Sequence, residues 1–151
     1  TMTTTTTTTA STSPADVSFA SASVVAASAG TCATTSFETL WCWGDASVAQ
    51  LGLEDTSDLV RVEVLPGLGA VDVAVGPQHS CAVAASGSAY CWGKNSFGQL
   101  GTNDTEDRLV NAPVPAVELG ESVVAAAVGV LHSCFLGVSR AVYCVGSNGV
   151  G

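Results

Sequence analysis

Ser80-Cys81-Ala82-Val83-Ala84 and Ser88-Ala89-Tyr90-Cys91-Trp92 flank the tripeptide Ala85-Ser86-Gly87. Both flanks are short runs of small, β-branched and aromatic residues, which is strand composition. If Cys81 faces Cys91 in an antiparallel pair, Ala82 faces Tyr90, Val83 faces Ala89 and Ala84 faces Ser88, leaving a three-residue loop. Such loops want a left-handed residue at their third position, and Gly87 stands there. Spacing and turn chemistry agree on one hairpin stapled across its strands. A bridge closing so short a loop is worth roughly 2–3 kcal/mol in the chain-entropy model.

The same pattern recurs on both sides. Cys32 and Cys42, Cys81 and Cys91, and Cys134 and Cys144 are each ten residues apart. Trp41-Cys42-Trp43-Gly44 becomes Tyr90-Cys91-Trp92-Gly93 and then Tyr143-Cys144-Val145-Gly146. Gln50-Leu51-Gly52 returns as Gln99-Leu100-Gly101, Val73-Ala74-Val75-Gly76 as Ala126-Ala127-Val128-Gly129, and His79-Ser80-Cys81 as His132-Ser133-Cys134. These are three copies of one unit of about 50 residues. Their expected bounds are about 20–69, 70–122 and an incomplete 123–151, within a repeat region of 15–151 behind a Thr/Ser-rich segment at 1–14. The first and third hairpins carry Glu38 and Arg140 where the second has Gly87, so their turns are expected to differ or to carry strain.

The cysteine regularity favours three local disulfides, and hence an oxidising, secreted or surface-exposed setting. Ten-residue gaps do not resemble zinc spacing. The plainer alternative is six reduced thiols buried in a cytosolic core. Tyr90 and Trp92 point away from Cys91, so both faces of the sheet are apolar and each suits another sheet. Each hairpin is expected to pack on the next unit through its aromatic face. The fold class is therefore all-β, built of propeller-like blades of antiparallel sheet.

Composition excludes other classes. Four Lys and Arg against 13 Asp and Glu give a net charge of −9 and repel phosphate backbones and anionic lipid, so no nucleic-acid partner is expected. With 47% apolar and 11% charged residues the chain is not acid-rich disorder. Its longest apolar stretch, around Val123–Leu131, is too short to span a bilayer, so no membrane insertion is expected. The opening Thr1-Met2 is not an ordinary translation start, and no secretory leader pattern stands in the chain, which suggests prior processing.

Val73-Ala74-Val75-Gly76, His79-Ser80-Cys81-Ala82, Gly87, Tyr90-Cys91-Trp92-Gly93-Lys94-Asn95 and Gly98-Gln99-Leu100-Gly101 together resemble a repeat of the regulator of chromosome condensation family. The likeness covers about residues 20–151. Gly30 replaces the histidine in the first unit and Val145 the tryptophan in the third. The resemblance implies a seven-bladed propeller of four-stranded blades, in a cysteine-bearing secreted or bacterial subtype. Three units fall short of seven. Gly151 aligns with Gly98, one residue before the expected Gln-Leu-Gly, so the polypeptide is expected to continue or a neighbouring subunit to complete the unit.

Candidate sites are few. Thr3, Thr4, Thr5, Thr6, Thr7, Thr8, Thr9, Ser11, Thr12 and Ser13, followed by Pro14, resemble an O-glycosylated stalk. This tract is expected to lie on a partner as an added strand, the bland reading being a linker. Asn103-Asp104-Thr105 is an N-glycosylation sequon in the acidic loop Thr102–Asp107. Asp104, Glu106 and Asp107 lack a Ca²⁺-loop register and read as a solvated loop. His79 and His132 occupy equivalent repeat positions on different blades and are not expected to converge. Ser80 and Ser133 adjoin them but point to opposite faces, which argues against a Ser–His nucleophile. Phosphate loops, HExxH and GxSxG are absent, so neither enzyme activity nor a cofactor is expected.

Two functional readings follow. One is an extracellular structural protein whose blades self-associate, or join other repeat subunits, in a filament or array. The alternative is a fragment of a closed seven-bladed propeller that binds a protein or glycan. The nucleotide-exchange activity of the family's founder suits neither the disulfides nor the acidity.

Overall fold

A computed structural model describes residues 23–26, 30–35, 39–44, 62–64, 66–67, 69–108, 114–115 and 119–149. The Thr/Ser tract at 1–14, Glu38 and the Gln50-Leu51-Gly52 motif lie outside the described residues. Eleven strands and no helix are found among those described.

The strands form three antiparallel sheets, each a meander in chain order. The first holds β1 (Ser23–Ala26), β2 (Gly30–Thr34), β3 (Leu40–Gly44) and β4 (Val62–Val64). The second holds β5 (Ala70–Val75), β6 (His79–Ala84), β7 (Ala89–Gly93) and β8 (Val114–Pro115). β9 (Val123–Val128), β10 (His132–Gly137) and β11 (Val142–Gly146) make the third.

The central hairpin of each sheet has the register that the cysteine spacing implies. Cys32 pairs with Cys42, Cys81 with Cys91 and Cys134 with Cys144, with sulfurs 2.07, 2.11 and 2.10 Å apart. Gly87 closes its loop at φ 83°, with its N–H donating to the Ala84 carbonyl at 2.8 Å. Arg140 closes the third loop in the same way. Its φ is 71° and its N–H donates to the Gly137 carbonyl at 3.0 Å. The third turn therefore keeps the geometry of the second and holds an L side chain in a left-handed conformation.

The two faces of the middle sheet meet different neighbours. Val73, Val75, Ala82 and Trp92 pack with Cys32, Leu40, Cys42 and Val64 of the first sheet, with Tyr90 alongside. Cys81, Val83, Ala89 and Cys91 pack with Val123 and Phe135 of the third, joined by Ala126, Val128 and Val145. The stack is directional. The aromatic face of a blade meets the preceding blade and its disulfide face meets the following one, which corrects the expectation that the aromatic face looks forward. The physical reason is volume: the small cystine face of one sheet leaves room for the bulky Trp92 of the next.

Candidate functional site

Two polar clusters and one uncovered face stand out. The first cluster crosses from the second blade to the third. β6 begins at His79, whose Nε2 lies 2.8 Å from Ser133 Oγ at the start of β10. Ser133 Oγ in turn lies 2.7 Å from the Gln99 carbonyl. A carbonyl only accepts, so the single hydroxyl proton goes to Gln99. His79 Nε2–H must then donate to Ser133, and Nδ1 keeps its lone pair. His79, Ser133 and Gln99 are all fully buried. Among the described residues, His79 Nδ1 and Gln99 Nε2 have no hydrogen-bond partner.

This arrangement adds a contact that the sequence reading does not foresee. The motif histidine does meet a motif serine, but on the adjacent blade rather than beside it in the chain. Burial lowers the His79 pKa to about 4, aided by repulsion from His132 and partly offset by the nearby His132 backbone. The pair is still no nucleophile. Its imidazole is the donor, and the serine proton points away from it. A second link runs from β5, where the Asp72 carboxylate accepts from Ala126 N–H at 2.9 Å.

The other cluster is the loop after β7. Asn95 is buried at its centre. Its Nδ2 donates to Thr102 Oγ1 at 3.1 Å and to the Asp104 carbonyl at 3.0 Å, and its Oδ1 accepts from Leu100 N–H at 2.9 Å. Asp107 accepts from Asn95 N–H at 2.8 Å and pairs with Lys94 at 2.6 Å. Asp104 pairs with Arg108 at 2.5 Å, and Arg108 also meets Glu106 at 3.0 Å. The Glu106 N–H, then Thr102, Arg108 and Asn95, hold the Asp104 carboxyl below its ordinary range. Lys94 does the same chiefly for Asp107. The loop expected to be merely solvated is thus an ion-paired clasp. Asn103 sits on it, exposed, at φ 62°. Asn95 belongs to the repeat motif, and spacing alone carries no signal of its hub role.

The uncovered face belongs to the third blade. Val83 and Ala89 of the second blade are 0% and 6% exposed, whereas their repeat equivalents Leu136 and Val142 are 36% and 66% exposed. Cys91 is fully buried and its equivalent Cys144 is exposed. No group of His, Cys, Asp or Glu fit to hold a metal occurs among the described residues. No described helix is long and apolar enough to cross a membrane.

Models of the regulator of chromosome condensation (RCC1) repeat match residues 70–99 and, in a second form, residues 38–83 and 86–136, more than half of the chain. A search of curated proteins found no match. Among solved structures, human WBSCR16 is 25% identical with a TM-score of 0.70, over 82% of this chain and 33% of that one. Prp20p of Saccharomyces cerevisiae, whose structure was described with its binding to Gsp1p and histones, is 24% identical at 0.70, over 88% and 33%. The ectodomain of the Arabidopsis thaliana receptor kinase ACR4 is 22% identical at 0.53, over 83% and 36%. The chain spans about a third of the length of these structures.

Proposed function

Because the chain belongs to the regulator of chromosome condensation (RCC1) repeat family, we propose that it is a non-catalytic assembly module of propeller blades, working in an oxidising extracellular setting. Its partner is another blade of the same kind, supplied by a second copy or another repeat subunit. The observation that carries this reading is the contrast between equivalent faces. A surface fully buried in the second blade is open in the third. What buries it in the second blade is the Phe135 and Val123 side of the next sheet. The counterpart of that side on the first blade bears Trp41, Trp43 and the exposed Val24. The two end faces are thus the two halves of one repeated contact, and head-to-tail joining extends the stack. The cross-strand disulfides and the exposed sequon residue Asn103 suit a secreted, glycosylated chain.

Sedimentation and negative-stain imaging of the 151-residue chain test the reading. Association with concentration is expected, and Leu136→Asp with Val142→Asp should abolish it, because a charge on each side of the contact centre cannot be buried. Both side chains are exposed, so the variant keeps its fold. A wild-type chain that stays monomeric at high micromolar concentration overturns copy-to-copy joining. The same result favours the alternative, blades of one closed ring that binds a protein or glycan at its rim.

A further inference from the structure

We propose that His79 makes the joint between the second and third blades acid-labile, so that the β9–β11 blade detaches and opens on acidification while the first two blades stay packed. The geometry carries this. His79 is fully buried, and its Nε2–H already donates to Ser133 across the joint. Ser133 has given its proton to the Gln99 carbonyl, so its remaining capacity is to accept. Protonation of the imidazole adds a second N–H at Nδ1, which has no hydrogen-bond acceptor among the described residues. The other orphan in the joint, Gln99 Nε2, is itself a donor and cannot take that proton. A charge confined there is costly, and the simplest relief is for the joint to open and admit water.

The ionisable groups around the ring do not neutralise it. His132, from β10, disfavours a charge on His79, and its backbone offsets that only in part. Asp72 of β5 is committed to Ala126 N–H. On the loop after β7, Asp104 is held by Arg108 and Asp107 by Lys94. Burial lowers the folded-state pKa to about 4, from 6.5 for the free side chain. The opened state therefore binds the extra proton between those values. Stability of the joint is complete above about pH 6.5 and falls as pH drops towards 4, because N binds fewer protons than the open form.

Amide hydrogen exchange across pH 4 to 7.5, corrected for intrinsic rates, reads this blade by blade. In the wild-type chain the opening constant of the β9–β11 amides should rise by up to about tenfold per pH unit within the window. His79→Gln retains a donor for Ser133 without a titrating ring and should flatten that dependence. His132→Gln should keep it. Equal pH profiles for wild type and His79→Gln, or a rise spread evenly over all three sheets, overturn the proposal. Should His79→Gln fail to fold, the imidazole resonances of the wild type decide. A His79 that titrates near its free value while β9–β11 exchange stays constant also overturns it.

Discussion

Trp92 and Gly93 stand side by side at the end of β7 and limit the fold in opposite ways. Trp92 is fully buried against the disulfide face of the first blade, within the cluster that holds Cys32, Leu40 and Cys42. Trp92→Ala should cost about 3–5 kcal/mol in urea-induced unfolding, the usual range for emptying a large aromatic site. Trp43, its equivalent in the first blade, is only partly buried. Trp43→Ala should cost clearly less, and equal losses would show that the first blade's outer face is covered. Gly93 is needed for what it lacks. Its φ is 107°, and a Cβ there would lie 2.6 Å from the Gln78 carbonyl oxygen and 2.7 Å from His79 Cα. Those atoms are backbone and cannot turn aside. Gly93→Ala should therefore cost about 2–5 kcal/mol, with the larger end expected if His79 is pushed off Ser133.

At the level of the hairpin, the oxidised state predicts that mapping of unreduced peptides recovers Cys32–Cys42, Cys81–Cys91 and Cys134–Cys144 and no bridge between blades. The third hairpin offers a finer check. Arg140 holds φ 71° where the second hairpin has Gly87. Arg140→Gly relieves that strain but adds freedom to the unfolded chain, so a net gain below about 1 kcal/mol is expected in the unfolding midpoint. This scale is also where the sequence was most legible. Two cysteines ten residues apart with a glycine in the loop define a register by counting, because side chains in a strand alternate strictly. The direction of stacking was not legible, since alternation says that Trp92 and Cys91 point apart but not which neighbour each meets. Nor was the His79–Ser133 contact, which joins residues 54 positions apart through the offset between whole blades. The clasp around Asn95 was missed for a similar reason. Acidic residues in a loop read as solvated until their partners Lys94 and Arg108 are located.

Across the stack, the three disulfides form an internal comparison. Each closes a loop of the same length, with a sequence separation of 10. The chain-entropy contribution of each is therefore the same, roughly 2–3 kcal/mol. What differs is where the sulfurs lie. Cys81 and Cys91 are fully buried between the second and third blades, whereas Cys134 is partly buried and Cys144 exposed. In a stack where each blade contacts only its neighbours, stability is close to a sum of blade terms and interface terms. Removing the middle bridge touches both an internal term and the interface with the third blade. Removing the last bridge touches the internal term alone. Replacing Cys81 and Cys91 by Ala should thus cost about 1–3 kcal/mol more than replacing Cys134 and Cys144, the difference being the cavity left by two buried sulfurs. The middle replacement should also disorder β9–β11 along with β5–β8, because Val123 and Phe135 lose part of the surface they bury. The last replacement should leave exchange protection in β5–β8 nearly unchanged. Equal costs for the two pairs would mean that the Cys134 and Cys144 face is covered in solution. That result would also supply independent evidence for association through Leu136 and Val142.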